Sequence, residues 1–205
     1  MTAPTFRSFD ALLCDFDGVL RLWDPQGMPG LDRAYDLPEG TLAAAAFGPE
    51  RLLPAVTGKC TDEQWRASVA RELARPCGSL ERARQLAAEW SALTGEVDAA
   101  VLELLAEARR RGPVVLVSNA TTRLESDLEL LGLTGVFDAV VSSARIGMAK
   151  PESGIYRYAA KAVDMPLGRC LFVDDAAANV EAARTQGMAG VHYRSPADLR
   201  AVLAG

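Results

Sequence analysis

The fold is decided by residues 11–20, which read Ala-Leu-Leu-Cys-Asp-Phe-Asp-Gly-Val-Leu. A short apolar run ends here in two carboxylates, Asp15 and Asp17, and Gly18 then lets the chain turn. A short apolar run bounded by a glycine predicts a buried β-strand. Two acids at the end of a buried strand are unfavourable unless a cation lies beside them. The end of this strand is therefore the first candidate for a functional site.

The composition is that of a globular protein without a nucleic-acid or membrane signature. Of the 205 residues, 49% are hydrophobic and 24% are charged, and the net charge is −5. A basic surface for nucleic acid is not expected at this charge. Residues 1–10 lack an apolar stretch of signal-peptide length, and no run approaches the roughly 18 apolar residues of a membrane span. We expect a cytoplasmic protein with one domain, or one core with an insertion.

From residue 97 onward, strand and helix patterns alternate along the chain. Four apolar runs predict strands, at 114–117, 139–141, 170–173 and 189–193. Nearly continuous apolar strands that alternate with helices are typical of a parallel sheet covered on both faces. The strand at 11–14 must belong to the same sheet, because a lone strand is not stable. The predicted fold class is therefore α/β, with a three-layer, Rossmann-like parallel sheet as its core.

The segment between the first strand and this alternating region has a different character. Its first ten residues are rich in proline and glycine, as expected of a linker. Residues 31–96 have helical patterns and no convincing strand. We therefore predict a core formed by residues 1–20 and 97–205, with residues 21–96 inserted as an α-helical cap.

Several polar residues are expected to meet at one edge of the sheet, because ligands of open parallel sheets bind at the carboxyl ends of the strands. They follow strand ends or precede the helix predicted to start at Pro151, and they are Asp15, Asp17, Ser118, Asn119, Lys150, Asp174 and Asp175. Four carboxylates cannot share a site without a compensating cation. Oxygen ligands without a cluster of Cys or His favour a hard ion such as Mg²⁺. A magnesium ion, a lysine and a hydroxyl beside a helix N-terminus describe a phosphate-binding site.

Four segments in this order resemble the motifs of the haloacid dehalogenase (HAD) superfamily. They are Asp-Phe-Asp-Gly-Val-Leu from Asp15, Val-Ser-Asn-Ala around Ser118, Lys150-Pro151, and Phe-Val-Asp-Asp-Ala-Ala-Ala-Asn around Asp174. The resemblance covers about residues 8–20 and 97–205. It implies a Rossmann-like core, and the long interval between the first two motifs leaves room for the helical cap that the family inserts there.

The resemblance implies a role for each acid. Asp15 corresponds to the nucleophile, which attacks phosphorus and forms an aspartyl phosphate that water then hydrolyses. Asp17 corresponds to the general acid and base, and its backbone carbonyl corresponds to a magnesium ligand. Asp175 corresponds to a direct magnesium ligand, and Asp174 either assists through a water molecule or exchanges that role with Asp175. The implied metal set is therefore Asp15, Asp17, Asp174 and Asp175.

The remaining motif residues are implied to hold the phosphoryl group. Ser118 and the backbone N–H of Asn119 would bind phosphoryl oxygens of the substrate. Lys150 would neutralise the charge that develops during transfer and would orient Asp15. Ser118, Asn119 and Lys150 are therefore the candidate phosphate-binding residues.

Two positions depart from the family pattern, and the cap offers few substrate contacts that can be named from sequence. Asn179 stands where many members carry a further acid. Arg21 stands where an apolar residue is commoner, either as an anion-binding group for the substrate or as a solvated charge at the hinge. Candidates for substrate contact from the cap are Arg21, Trp23, Lys59 and Trp65.

Asp17 decides between the two main branches that the resemblance implies. Dehalogenases of the superfamily lack this second acid and need no metal, whereas phosphatases use it to protonate the leaving group. We therefore expect a Mg²⁺-dependent phosphatase acting on a small phosphorylated metabolite, with a sugar phosphate as one candidate. A phosphomutase, a metal-independent 2-haloacid dehalogenase and a non-catalytic binding protein on the same scaffold remain alternatives. The sequence does not predict the oligomeric state.

Overall fold

The computed structural model describes residues 9–204 and contains a central sheet of five parallel strands. The strands in chain order are β1 (Ala11–Cys14), β2 (Arg21–Leu22), β3 (Glu96–Val97), β4 (Val114–Ser118), β5 (Ala139–Ser142), β6 (Cys170–Asp174) and β7 (Ala189–His192). The sheet order is β5-β4-β1-β6-β7, and every neighbouring pair is parallel. This arrangement places the first strand at the centre and confirms the predicted α/β fold class.

The helices divide between the central sheet and the segment inserted after the first strand. They are α1 (Gly27–Ala34), α2 (Thr41–Phe47), α3 (Pro49–Val56), α4 (Asp62–Leu73), α5 (Leu80–Ser91), α6 (Ala99–Arg109), α7 (Leu124–Leu130), α8 (Ser143–Ile146), α9 (Ser153–Lys161), α10 (Ala177–Thr185) and α11 (Pro196–Leu203). The first five lie between β2 and β3 in the chain. None of the helices within residues 9–204 is both long and apolar enough to cross a membrane.

The central strands are apolar up to their carboxyl ends because both faces of the sheet are covered. Leu12 and Cys14 belong to one hydrophobic cluster, which includes residues of α6, α7 and α11. Leu13 belongs to the cluster on the opposite face, which includes residues of α9 and α10. Successive side chains of a strand point to opposite faces, so a strand buried on both sides needs apolar residues at every position.

The ends of the inserted segment are joined by a short two-stranded ribbon. Strands β2 and β3 pair antiparallel, with Arg21 opposite Val97. The expectation that residues 31–96 contain no strand is wrong at Glu96, which lies in β3. A two-residue strand carries no sequence periodicity, because its conformation depends on the partner strand rather than on its own pattern.

The inserted segment has a hydrophobic cluster of its own. Trp65 and Leu73 of α4 pack there with Leu86 and Trp90 of α5, apart from the two clusters that cover the sheet. We propose on this basis the division expected from the sequence, in which residues 21–96 form a cap. The separate cluster and the ribbon at the junction support this division.

Candidate active site

The carboxyl ends of β1 and β6 bring two acids onto one buried lysine. Asp15 follows β1 directly, Asp174 is the last residue of β6, and Lys150 lies in the loop between α8 and α9. Lys150 Nζ is 2.6 Å from Asp15 Oδ1 and 2.7 Å from Asp174 Oδ2. The three residues are only 7%, 5% and 0% exposed for Asp15, Lys150 and Asp174 respectively. Lys150 is therefore a cation of the kind that the buried acids were expected to require.

Burial and mutual contact set the charge states in this cluster. Burial raises the pKa of Asp15 to about 7, with Lys150 opposing the rise and Asp174 adding to it. Burial alone would lower the pKa of Lys150, but Asp15 and Asp174 outweigh that effect and hold it above its usual value. Lys150 is therefore a permanent cation. The ionised form of Asp15 is disfavoured by burial, and its pKa is raised for that reason.

Asp174 is saturated by donors, and Asp175 is the more accessible acid of the pair. Asp174 Oδ1 accepts from the backbone N–H of Ala176 at 2.8 Å. Asn179 Nδ2 lies 3.1 Å from both carboxylate oxygens of Asp174. Asn179, which departs from the family pattern, thus supplies a donor to Asp174. The side chain of Asp175 remains exposed, and burial and the charge of Asp174 raise its pKa.

Gly18 allows Asp175 to approach the first motif closely. Gly18 has a φ of +81°, a conformation that favours glycine. A Cβ atom at this position would lie 2.2 Å from Asp175 Oδ2, which is far inside contact distance. Gly18 therefore permits both the backbone turn after the first motif and the close packing of Asp175 from the fourth motif.

Three carboxylates could hold a metal ion. Asp15, Asp174 and Asp175 each offer an oxygen atom, and these atoms lie within 4.8 Å of one another. An oxygen-only donor set with net negative charge fits a hard divalent cation such as Mg²⁺. The carboxylate of Asp17 is not part of this group, so the predicted role of Asp17 as a ligand rests on its backbone carbonyl alone.

The carboxylate of Asp17 is held by two side chains that follow it closely in the chain. Arg21 donates to it through Nε at 2.7 Å and through Nη2 at 3.0 Å, and Trp23 Nε1 donates at 2.7 Å. Arg21 also donates to Asp127 of α7 at 2.7 Å and is only 6% exposed. The expectation of a solvated charge at the hinge is therefore wrong. Arg21 is buried because it bridges two acids and lies over the ring of Phe16.

The second motif lies at the end of β4 and is tied to the loop that carries Lys150. Ser118 is the last residue of β4 and is buried. Asn119 Nδ2 donates to the carbonyl of Lys150 at 2.8 Å, and the N–H of Lys150 donates to Asn119 Oδ1 at 2.7 Å. The side chain of Asn119 therefore positions Lys150. The predicted contact of Asn119 with phosphate would be made by the backbone N–H of Asn119.

The sequence matches the model of a known protein family over most of its length. Residues 9–187 match the model of the haloacid dehalogenase-like hydrolases. The chain belongs to this family. It is accordingly an enzyme of the hydrolase class, as the four ordered motifs implied.

Relatives of this HAD-like hydrolase include two named phosphatases. Phosphatase MT3486 of Mycobacterium tuberculosis is 39% identical over 129 residues, which cover 61% of the chain and 58% of that relative. The chain thus spans less than two thirds of the length of MT3486. Sesquiterpene phosphatase astK of Aspergillus oryzae is 29% identical over 190 residues, which cover 90% of each protein.

A solved structure has the same fold as the hydrolase. The HAD family enzyme BT-2542 of Bacteroides thetaiotaomicron superposes with a TM-score of 0.75 at 20% identity, covering 91% of this chain and 94% of the other. BT-2542 has also been crystallised in complex with magnesium and inorganic phosphate. At this level of identity the likeness concerns the fold.

A cavity of about 590 Å³ separates the helices of the inserted segment from the motifs of the hydrolase. Its wall includes Asp17 and three of the candidates named from the sequence, Arg21, Trp23 and Trp65. Lys59 is not among the described residues that line it. Three of the four residues named from the sequence as possible substrate contacts therefore line this cavity.

Sequence reasoning missed other residues of the cavity wall. Asp127 lies 106 positions from Arg21, and Asp62 is in a helix predicted only as part of the insertion. Arg66 lies one turn after Asp62 and binds it, with Nε 2.6 Å from Asp62 Oδ2. The i,i+4 spacing of Asp62 and Arg66 was a readable signal of pairing. Nothing in the sequence placed either residue beside the first motif.

Proposed function

We propose that the hydrolase is a Mg²⁺-dependent phosphatase that cleaves a small phosphate monoester through an aspartyl phosphate on Asp15. The observation that carries this proposal is the buried contact of Asp15 with Lys150. Asp174 and Asp175 lie beside this contact, and Asp17 follows Asp15 by two positions in the chain. A dehalogenase would need the nucleophile but neither Asp17 nor a metal site. The two phosphatase relatives support the same choice.

In the first step, Asp15 forms a bond to phosphorus while the bond from phosphorus to the ester oxygen breaks. Asp17 gives a proton to the departing alcohol oxygen, which avoids expulsion of an alkoxide. In the second step, Asp17 takes a proton from water, whose oxygen bonds to phosphorus as Asp15 is released. Ser118 and the backbone N–H of Asn119 orient the phosphoryl group throughout.

Lys150 and the acids of the fourth motif complete the site. Lys150 holds Asp15 in place and balances charge on the phosphoryl oxygens. Asp15, Asp175 and the backbone carbonyl of Asp17 would hold Mg²⁺, with Asp174 behind them. The ion, when bound, supplies positive charge that offsets the negative charge of the transferred group.

Hydrolysis of p-nitrophenyl phosphate with Mg²⁺ tests this function. We expect Asp15→Asn to abolish turnover and EDTA to suppress the activity of the wild type, while Glu129→Gln, an exposed acid of α7, retains activity. Full activity of Asp15→Asn would refute the nucleophile assignment. Release of halide from 2-chloropropionate without metal would favour the dehalogenase instead, and transfer of phosphate to a second hydroxyl would favour the mutase.

A further inference from the structure

The wall of the cavity above Asp17 is mainly apolar. Its apolar side chains come from the inserted segment, mostly from its helices, and they include Met28, Leu52, Val56, Trp65, Trp90 and Leu93. The same cavity reaches Asp17 and Asn119 of the candidate active site. The part of a substrate that leaves with the ester oxygen would therefore lie against this apolar wall.

The polar side chains near Asp17 already have partners within the protein. Arg21 is bound to Asp17 and Asp127 by three hydrogen bonds. Asp127 also accepts from Arg123 Nε at 2.7 Å, and Arg123 Nη1 donates to the carbonyl and the hydroxyl of Ser91. This chain of contacts uses the polar groups to join the core to the inserted helices, which leaves little capacity for a ligand.

The polar side chains on the other part of the wall are also paired. Asp62 accepts from Thr121 Oγ1 at 2.8 Å and from Arg66 Nε at 2.6 Å. Arg66 Nη1 is the one buried side-chain nitrogen or oxygen without a hydrogen-bond partner among residues 9–204. The guanidinium of Arg66 lies 4.4 Å from the ring centroid of Trp90, so its flat face is also covered. Arg66 Nη1 is enclosed by the protein, and the charged side chains on this part of the wall are therefore not available to a ligand.

We propose that the substrate is the phosphate monoester of a bulky, predominantly apolar alcohol. A sugar would bring several hydroxyl groups against apolar side chains and already paired polar groups, and each hydroxyl left without a hydrogen-bond partner disfavours binding. An apolar alcohol exchanges water for the apolar wall instead. This inference rests on the phosphatase function proposed above, and it replaces the sugar phosphate among the candidate substrates.

A series of primary alkyl phosphates from ethyl to octyl phosphate, with glucose 6-phosphate as the polar comparison, tests the inference. Released phosphate gives kcat/KM for each ester at concentrations below micelle formation. Each methylene that enters the cavity is expected to raise kcat/KM by up to about fourfold. Constant or falling values along the series, or a preference for glucose 6-phosphate over octyl phosphate, would overturn the inference and leave the phosphatase function standing. Inactivity towards every ester, including p-nitrophenyl phosphate, would instead contradict the phosphatase function.

Neighbouring leucines of α3 provide a matched pair of variants. Leu52 lines the cavity, whereas Leu53 is 52% exposed and points away from it. Leu52→Gln is expected to lower kcat/KM for octyl phosphate about tenfold and to leave ethyl phosphate within about twofold of the wild type. Leu53→Gln is expected to match the wild type with both esters. Equal losses for both esters in Leu52→Gln, or equal behaviour of the two variants with octyl phosphate, would contradict the proposal.

Discussion

At the scale of single residues, Asp15 combines a buried position with a charge that the reaction needs. Burial raises the pKa of its carboxyl to about 7, with Lys150 opposing and Asp174 adding to the rise. The unfolded chain would have a value of about 3.9. Between these values the folded, metal-free protein binds more protons at this site than the unfolded chain. The free energy of unfolding therefore falls as the pH rises through this window.

Replacing Asp15 should for this reason stabilise the protein in the absence of metal. We expect Asp15→Asn in EDTA to melt about 4 °C above the wild type near pH 8, as roughly 1–2 kcal/mol would produce in a chain of this size. The difference should shrink towards about pH 4, where the wild-type carboxyl is protonated as well. Differential scanning calorimetry over this pH range measures the effect. A variant that melts below the wild type at every pH would show that the charge of Asp15 is fully compensated by Lys150.

Arg21 and Arg123 provide a second comparison at this scale, because both bind Asp127 but only Arg21 binds Asp17. We expect Arg21→Met to lower kcat for alkyl phosphates about tenfold, since Asp17 loses the guanidinium that orients it for proton transfer. The loss should be smaller for p-nitrophenyl phosphate, whose leaving group needs little protonation. Arg123→Met should retain the wild-type ratio between the two esters. Identical effects of the two variants on that ratio would rule out Arg21 as a positioning residue.

The residues of the buried cluster could be predicted from the sequence, whereas their neighbours could not. Asp15 and Asp174 follow apolar strands, and the geometry of parallel sheets brings such positions together. The buried ion pairs of Arg21 were not predicted, because its pairing with Asp127 joins segments that are 106 positions apart. Long-range ion pairs leave no periodic pattern in one sequence, so the burial of Arg21 emerges only in the folded chain.

At the scale of elements, helix α4 contributes Asp62, Trp65 and Arg66 to the cavity wall, and its start is fixed by a capping box. Thr61 Oγ1 accepts from the N–H of Gln64, and the side chain of Gln64 accepts from the N–H of Thr61. Asp62, which follows Thr61, accepts a hydrogen bond from Thr121 Oγ1 of the core. The first turn of α4 therefore joins the inserted segment to the loop after β4.

Thr61→Ala should lower the free energy of unfolding by about 1 kcal/mol, because the exposed donors of the first turn lose their acceptor. Urea denaturation followed by circular dichroism measures the change. Thr185→Ala is the control, since this exposed threonine of α10 binds only the carbonyl of Glu181 in its own helix. A loss of stability in Thr185→Ala as large as that in Thr61→Ala would mean that the N-cap hydrogen bond of α4 contributes no more than an ordinary side-chain hydrogen bond.

The strands of the central sheet were predictable, and the two-residue strands of the ribbon were not. The apolar runs that became β1, β4 and β6 could be read directly, because strands buried on both faces are apolar at every position. The two-residue strands β2 and β3 have no such pattern and exist only through their pairing. The helix expected from Pro151 begins instead at Ser153, as boundaries of helices depend on local capping.

At the scale of the whole molecule, metal binding should stabilise the fold, since a ligand that binds only the native state raises its stability. A Mg²⁺ concentration about 100-fold above the dissociation constant would add about 2.7 kcal/mol. We expect the melting temperature of the wild type to rise accordingly on addition of Mg²⁺. Asp175→Asn should lose this rise, because the exposed carboxylate of Asp175 is free to bind whereas Asp174 is occupied by donors. An undiminished rise in Asp175→Asn would transfer the ligand role to Asp174.

Phosphorylation of Asp15 is the step on which the proposed function depends, and Asp17→Asn makes it measurable. The good leaving group of p-nitrophenyl phosphate allows the first step without an acid, whereas the second step lacks the base that activates water. We expect a rapid burst of about one p-nitrophenolate per enzyme molecule. After acid quench, mass spectrometry should place one phosphoryl group on the peptide that contains Asp15. Turnover without a burst and without a phosphorylated Asp15, or a phosphoryl group on another residue, would rule out Asp15 as the nucleophile.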